Sequence, residues 1–151
     1  MVLRLSSEQR EARLAEPRVG VLSVAAEAGR APLTTPIWYD YRPGGLVMVL
    51  TSSRLRKARL ISDAGRFALC VQDTGVPYWY VTAEGPVVEV RPVTAEDRRA
   101  IASRYMPPEI AAVYLETTHE DQSSNVAITM RPERWHTADY SDLAERLHAA
   151  V

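Results

Sequence analysis

Four cations fall within six positions of the stretch "TSSRLRKARLIS", residues 51–62: Arg54, Arg56, Lys57 and Arg59. The stretch follows an apolar run, "LVMVL", that reads as a strand. Basic side chains at a strand end, with the Ser52 and Ser53 hydroxyls and the free N–H groups of a helix start, can grip a phosphate. Arg56 and Lys57 are adjacent, so one can face the strand end while the other faces solvent. Spacing alone describes a solvated helix face equally well; the position after a strand favours the phosphate.

A second group of residues is aromatic. Trp38, Tyr39 and Tyr41, and then Tyr78, Trp79 and Tyr80, gather near strand ends. Successive strand residues point to opposite faces, so only part of each group can be buried. These rings either fill a barrel core and a dimer contact or form a platform for a planar ligand. Tyr78 and Tyr80 are candidate proton donors.

Other chemistries lack their residues. His119, His136 and His148 show no metal-type spacing, so no metal site is expected. There is no G-x-S-x-G elbow, no G-x-G-x-x-G and no G-x-x-x-x-G-K-[ST]. The single cysteine, Cys70, alternates with Leu69 and Val71 and reads as a small core residue; it also excludes an internal disulfide and fits a reducing compartment. Lysine plus arginine (18) nearly balance aspartate plus glutamate (19), which argues against a general nucleic-acid or membrane-surface binder. No run has signal-peptide or membrane-spanning character, so a soluble, cytoplasmic protein is expected.

The elements that must position these residues follow from pattern. The length of 151 residues suits one domain, expected to span 1–151. Ser6 and Gln9 form a capping-box pair, predicting a helix over 6–16 that Pro17 stops. Strands are predicted in "RVGVLSVAAEAGR", in "APLTTPIWYDY", in "LVMVLT" after the "RPGG" turn, in "RFALCVQD", in "YWYVTAEGPVVEV" and in "NVAITMRPERWHTAD". Gly85-Pro86 predicts a bulge, bend or edge inside the longest of these. Leu55, Ala58, Leu60 and Ile61 are spaced for one face of a short helix. Thr94 and Asp97 start a helical insertion over 94–118, whose second helix would bury Ile110, Val113 and Tyr114, and a capped helix covers 141–150. The barrel proper would comprise 18–90 and 124–138. Short connections between consecutive strands favour an antiparallel barrel over a doubly wound sheet.

Three segments in register, "LAEPRVGVLSVAAEAGRAPLTTPIWYDY", "LVMVLTSSRLRKARLISDAGRFALCVQD" and "YVTAEGPVVEV", resemble the split β-barrel flavin and deazaflavin oxidoreductases related to pyridoxamine 5′-phosphate oxidase. The resemblance covers about Leu14 to Val90 and is greatest to those using the deazaflavin coenzyme F-420. It implies a mainly β fold, a six-stranded antiparallel split barrel, and a homodimer with cofactor sites at the subunit interface. It also implies that "TSSRLRK" holds the cofactor phosphate, with Lys57 at the phosphate-binding lysine, Arg54 and Arg56 beside it, and Thr51 and Ser52 at the strand end. Pro36, Ile37 and Trp38 match the strand beside the ring, and Tyr80 falls at a flavin-contacting position.

Two departures carry weight. Where the oxidases have a phosphate-binding arginine, this chain has Thr34 or Thr35, which weakens FMN relative to the deazaflavin. The C-terminal substrate signature of the oxidases is missing, and Arg146-Leu147-His148 stands without it, so production of pyridoxal phosphate is not expected. The resulting expectation is an oxidoreductase passing a hydride from reduced coenzyme F-420 to an electron-poor conjugated small molecule. An FMN-dependent oxidase or reductase, a non-catalytic split barrel binding a cofactor or other planar ligand, and a purely structural partner protein are the alternatives. The segments "QDTGVPYWY" and "YMPPEI" are candidates for the substrate pocket.

Overall fold

Apolar residues at every second position make the strands. A computed structural model describes residues 2–151. Its strands are β1 (Gly20–Val24), β2 (Leu33–Ile37), β3 (Tyr39–Asp40), β4 (Val47–Ser52), β5 (Arg66–Gln72), β6 (Trp79–Pro92), β7 (Asn125–Met130) and β8 (Arg134–Asp139). Its helices are α1 (Ser7–Ala15), α2 (Arg56–Ala64), α3 (Ala95–Tyr105), α4 (Pro108–Thr117) and α5 (Ser141–Ala149). All strand pairs are antiparallel, in the order β2-β1-β5-β6-β7-β4-β3, with β8 added to β6.

Six strand segments were expected and eight strands are present among the described residues. The two extra ones arise by division. Trp38 interrupts β2 and β3, and Arg131–Glu133, carrying a proline, interrupts β7 and β8. The first break has a large consequence. β2 and β3 stand at opposite ends of the strand order yet are separated in the chain by Trp38 alone. The sheet must therefore curl until its ends meet, giving an antiparallel half-barrel.

The inward positions of β1, β4, β5 and β6 alternate with half-buried ones, and Leu22, Val47, Val49, Leu69, Val81 and Tyr39 have no accessible surface. Each such aliphatic side chain contributes about 1.5–3 kcal/mol by leaving water. Cys70 belongs to the other phase: it is half-buried on the outward face of β5, where the sequence reading had placed it in the core. α1 closes one end, with Leu14 fully buried and the Tyr39 hydroxyl donating to the Leu14 carbonyl at 2.6 Å. α2 buries Ala58, Leu60 and Ile61, while Leu55, its N-cap, is 50% exposed. Gly65 ends that helix at φ 69°, a left-handed geometry that favours glycine.

Gly85 marks where β6 passes from its β5 and β8 partners to β7. The β7–β8 connection crosses its backbone there: a Cβ on Gly85 would lie 1.7 Å from the Arg131 carbonyl oxygen. Only glycine permits that approach. The register then slips between Val87 and Glu89, a bulge two residues beyond the expected place.

The capping boxes at Ser6/Gln9 and Thr94/Asp97 are both formed. α5 differs, having no side-chain cap at Tyr140; Asp139 instead accepts from the Ser141 N–H and hydroxyl. α4 differs more: Ile110 and Val113 are 55% and 62% exposed, and the buried residue is Ala111. The helix lies on α3 by its small side chain, leaving its larger apolar residues outside. Among the described residues no helix is long and apolar enough to cross a membrane.

Candidate functional site

β4 delivers Thr51 and Ser52 to the mouth of a cleft of about 330 Å³ between the strand end, the start of α2 and the α3–α4 pair. Thr51, Ser52, Lys57, Arg98, Tyr114 and Asn125 contribute to its lining. Thr51 is buried, and its hydroxyl oxygen has no hydrogen-bond partner. An unpaired buried hydroxyl costs about 1–3 kcal/mol, so the position favours an incoming polar group. Ser52 Oγ lies 3.3 Å from Ser124 Oγ and accepts from the Arg54 N–H at 3.3 Å.

α2 begins without a side-chain cap and without an acid in its first turn. Its first N–H groups and the positive end of its dipole are therefore uncompensated by a carboxylate. Lys57, in that first turn, makes no ion pair among the described residues. The second cation of the cleft, Arg98, is held by α4: its Nη2 donates to the carbonyls of Leu115 and Thr118 and to the Thr118 hydroxyl at 2.7 Å. Its neighbour Asp97 does not neutralise it. Asp97 is bound by Arg91 and caps α3 through Thr94, and the Arg91 hydrogen bonds, followed by those from Thr94, hold its pKa down at about 2.

Arg56 turns the other way. It meets Glu27 of the β1–β2 turn at 2.6 Å, and Arg59 reaches the same carboxylate at 2.9 Å. Glu27 is held at about 2, chiefly by the Arg56 hydrogen bond, then by its own backbone N–H and by Arg59. Arg54 is exposed and outside the cleft lining. Of the basic segment, the structure thus brings Thr51, Ser52 and Lys57 together and leaves Arg54 and Arg56 outside.

The ring-side residues are distributed differently. Pro36 is exposed on β2 and Ile37 is buried in the core cluster. Trp38 stacks on Tyr105 at 4.9 Å and 12° and touches Tyr114 at 5.9 Å, and Tyr114 is itself part of the cleft wall. Trp38 therefore backs the cleft through one intervening ring. Tyr80 lies elsewhere, on the outward face of β6, with its hydroxyl 2.8 Å from His136 Nε2. Tyr78 stacks on Tyr140, whose hydrogen bond raises the Tyr78 pKa. Neither candidate proton donor, and no residue of "QDTGVPYWY" or "YMPPEI", lines the Lys57 cleft.

Arg98, Gln122 and Asn125 are cleft residues that the sequence did not single out, and Tyr114, expected only on the buried face of the second inserted helix, joins them in the lining. They arrive from segments 47 to 74 positions beyond Thr51, a separation at which no local pattern reports a shared wall. Among the described residues no group of three histidine, cysteine or acidic side chains is placed to hold a metal.

No protein-family model matches the chain. No curated protein matches it either. Solved structures do. An F-420 reductase superposes with a TM-score of 0.61 at 22% identity, over 83% of this chain and 94% of that one. A FAD-binding protein of Mesorhizobium loti gives 0.67 at 18%, over 93% and 99%. A heme binding protein of Mycobacterium smegmatis gives 0.62 at 17%, over 89% and 55%. The resemblance to split-barrel flavin and deazaflavin proteins holds at the level of fold: the chain shares its curled antiparallel barrel with an F-420 reductase and a FAD-binding protein.

Proposed function

We propose that this protein is an oxidoreductase that uses a flavin-type cofactor, with the deazaflavin coenzyme F-420 preferred to FMN. The observation that carries the reading is the coincidence of an unpaired Lys57 ammonium and an unpartnered buried Thr51 hydroxyl in one cleft. A cofactor phosphate fits both. Its charge would meet Lys57 and the uncapped start of α2, while one of its oxygens would accept from the Thr51 hydroxyl. Ser52, whose oxygen already orders the Arg54 backbone, would fix the strand end beneath it.

When bound, the deazaflavin supplies a hydride for an electron-poor conjugated small molecule. The protein's residues anchor, orient and exclude water. Tyr114, backed by Trp38 and Tyr105, gives the cleft a ring-bearing wall. The preference for the deazaflavin rests on Thr34 and Thr35. Thr34 bonds to Ser23 and Thr35 to the Pro36 carbonyl, so neither replaces the phosphate arginine of the oxidases. FMN is the second reading, favoured by the likeness to a FAD-binding fold. We further propose a homodimer. Val88 and Val90 of β6, 46% and 52% exposed, and the outward residues of α4 would be covered by the second copy.

Titration of cofactor-free protein with coenzyme F-420 and, in parallel, with FMN tests this, followed by tryptophan quenching and cofactor absorbance. Saturable binding with preference for the deazaflavin is expected. Preference for FMN moves the protein to the second reading, and binding of neither ends both.

A further inference from the structure

A phosphate at Lys57 and Thr51 leaves one cation of the cleft without a counter-charge. No aspartate or glutamate contributes to the lining, whereas Lys57 and Arg98 both do. In a chain with 18 basic and 19 acidic residues, two cations and no acid in one cleft make a local excess of positive charge. Lys57 comes from the first turn of α2 and Arg98 from α3, so the two charges enter from different walls. Neither makes an ion pair among the described residues.

The Arg98 guanidinium is held at one end only. Its hydrogen bonds to protein all run through Nη2, to the carbonyls of Leu115 and Thr118 and to the Thr118 hydroxyl. Among the described residues no protein acceptor meets Nε or Nη1, and neither is a buried atom shut away from a ligand. The adjacent Asp97 is taken by Arg91. A guanidinium fixed in this way, with N–H groups unused, is matched by a carboxylate. The cleft volume of about 330 Å³, the share of about eleven waters in the liquid, leaves room beside a phosphate for such a group.

We infer that the cleft takes a ligand with two anionic groups joined by a short link, a phosphate at Lys57 and a carboxylate at Arg98. Arg98 then selects among phosphate-bearing cofactors. A phosphate that ends the molecule, as in FMN, leaves the guanidinium unmatched; one esterified onward to a carboxylate-bearing group satisfies both cations. The inference rests on the placing of the cofactor phosphate at Lys57.

The probe is 2-phosphoglycolate, with ethyl phosphate, which carries a methyl group in place of the carboxylate, as control. Both are titrated into the cofactor-free, full-length protein by calorimetry and by chemical-shift mapping. Phosphoglycolate is expected to bind about tenfold or more tightly than ethyl phosphate, with shifts at Lys57 and Arg98. Lys57→Ala should weaken both probes, and Arg98→Met should bind the two equally. If Arg98→Met fails to fold, Gln122→Glu should remove the difference instead. That variant leaves the α4 clamp in place and sets a carboxylate beside the guanidinium, because Gln122 and Arg98 donate to the same Thr118 carbonyl. A difference that survives in Arg98→Met or in Gln122→Glu would overturn the assignment. Saturable binding of both probes with no advantage for phosphoglycolate, lost in Lys57→Ala, overturns the role of Arg98 and leaves the phosphate at Lys57 standing. Binding of neither probe overturns both.

Discussion

Arg56 and Lys57 are neighbours on one helix with the same charge, and the fold gives them opposite conditions. Arg56, with Arg59, is neutralised by Glu27 across an exposed clamp. Lys57 stands unpaired in a cleft with the buried Thr51 hydroxyl and the uncapped helix start. A cluster of cations in sequence is thus not a cluster in function: one carboxylate on the β1–β2 turn divides it. The clamp side is satisfied without a ligand, whereas the cleft side lacks partners that an anion would provide.

Removing the unpaired cation is the sharpest test of that division. Lys57→Ala should weaken cofactor binding by about 2 kcal/mol, roughly 30-fold in Kd, with little change in Tm. Arg59→Ala, from the clamp side, should change affinity much less, and equal losses in the two variants would erase the distinction.

Thr51→Val probes the same cleft by removing the unpartnered hydroxyl while keeping the side chain's shape. Loss of an unpaired buried polar group should raise the stability of the cofactor-free protein by about 1 kcal/mol. The same change should weaken cofactor binding by roughly tenfold, since the hydroxyl bonds only when the phosphate is present. Denaturant melts with and without cofactor separate the two effects, and a destabilised cofactor-free variant would contradict the role given to the hydroxyl.

Opening the clamp should have the smallest effect. Glu27→Gln leaves Arg56 and Arg59 without their carboxylate, and a modest gain in cofactor affinity at low salt, disappearing at high salt, is expected. The native clamp also carries a pH signature. Glu27 has its folded pKa lowered from 4.5 to about 2. Its contribution is therefore complete above 4.5 and is lost as pH falls through about 2. The stability difference between the native protein and Glu27→Gln should be flat near neutrality and vanish across that acid window. A difference that persisted below it would mean that the residue acts through something other than its charge.

Most of the fold was legible along the chain because its signals are local. Alternation in "LVMVLT" fixes which side chains point inward, and the pairs Ser6/Gln9 and Thr94/Asp97 announce helix starts through bonds spanning three residues. The α4 face was misread for a related reason. Helical spacing of Ile110, Val113 and Tyr114 defines a stripe, but not whether α3 lies against it, and α3 takes Ala111 instead.

At the candidate site, the sequence by itself determined that a basic helix start follows a strand end carrying hydroxyls, since strand, turn and helix are contiguous between Val47 and Ala64. Only the tertiary structure decided which cation remains unpaired. Glu27 lies 29 residues from Arg56, and Arg98 and Tyr114 reach the cleft from helices packed across the barrel wall. Tyr80 shows the same limit, for on the outward face of β6 its hydroxyl meets His136 and the residue takes no part in the Lys57 cleft. Charge, ring and hydroxyl are properties of a residue. Whether each is satisfied depends on groups that folding brings from distant parts of the chain.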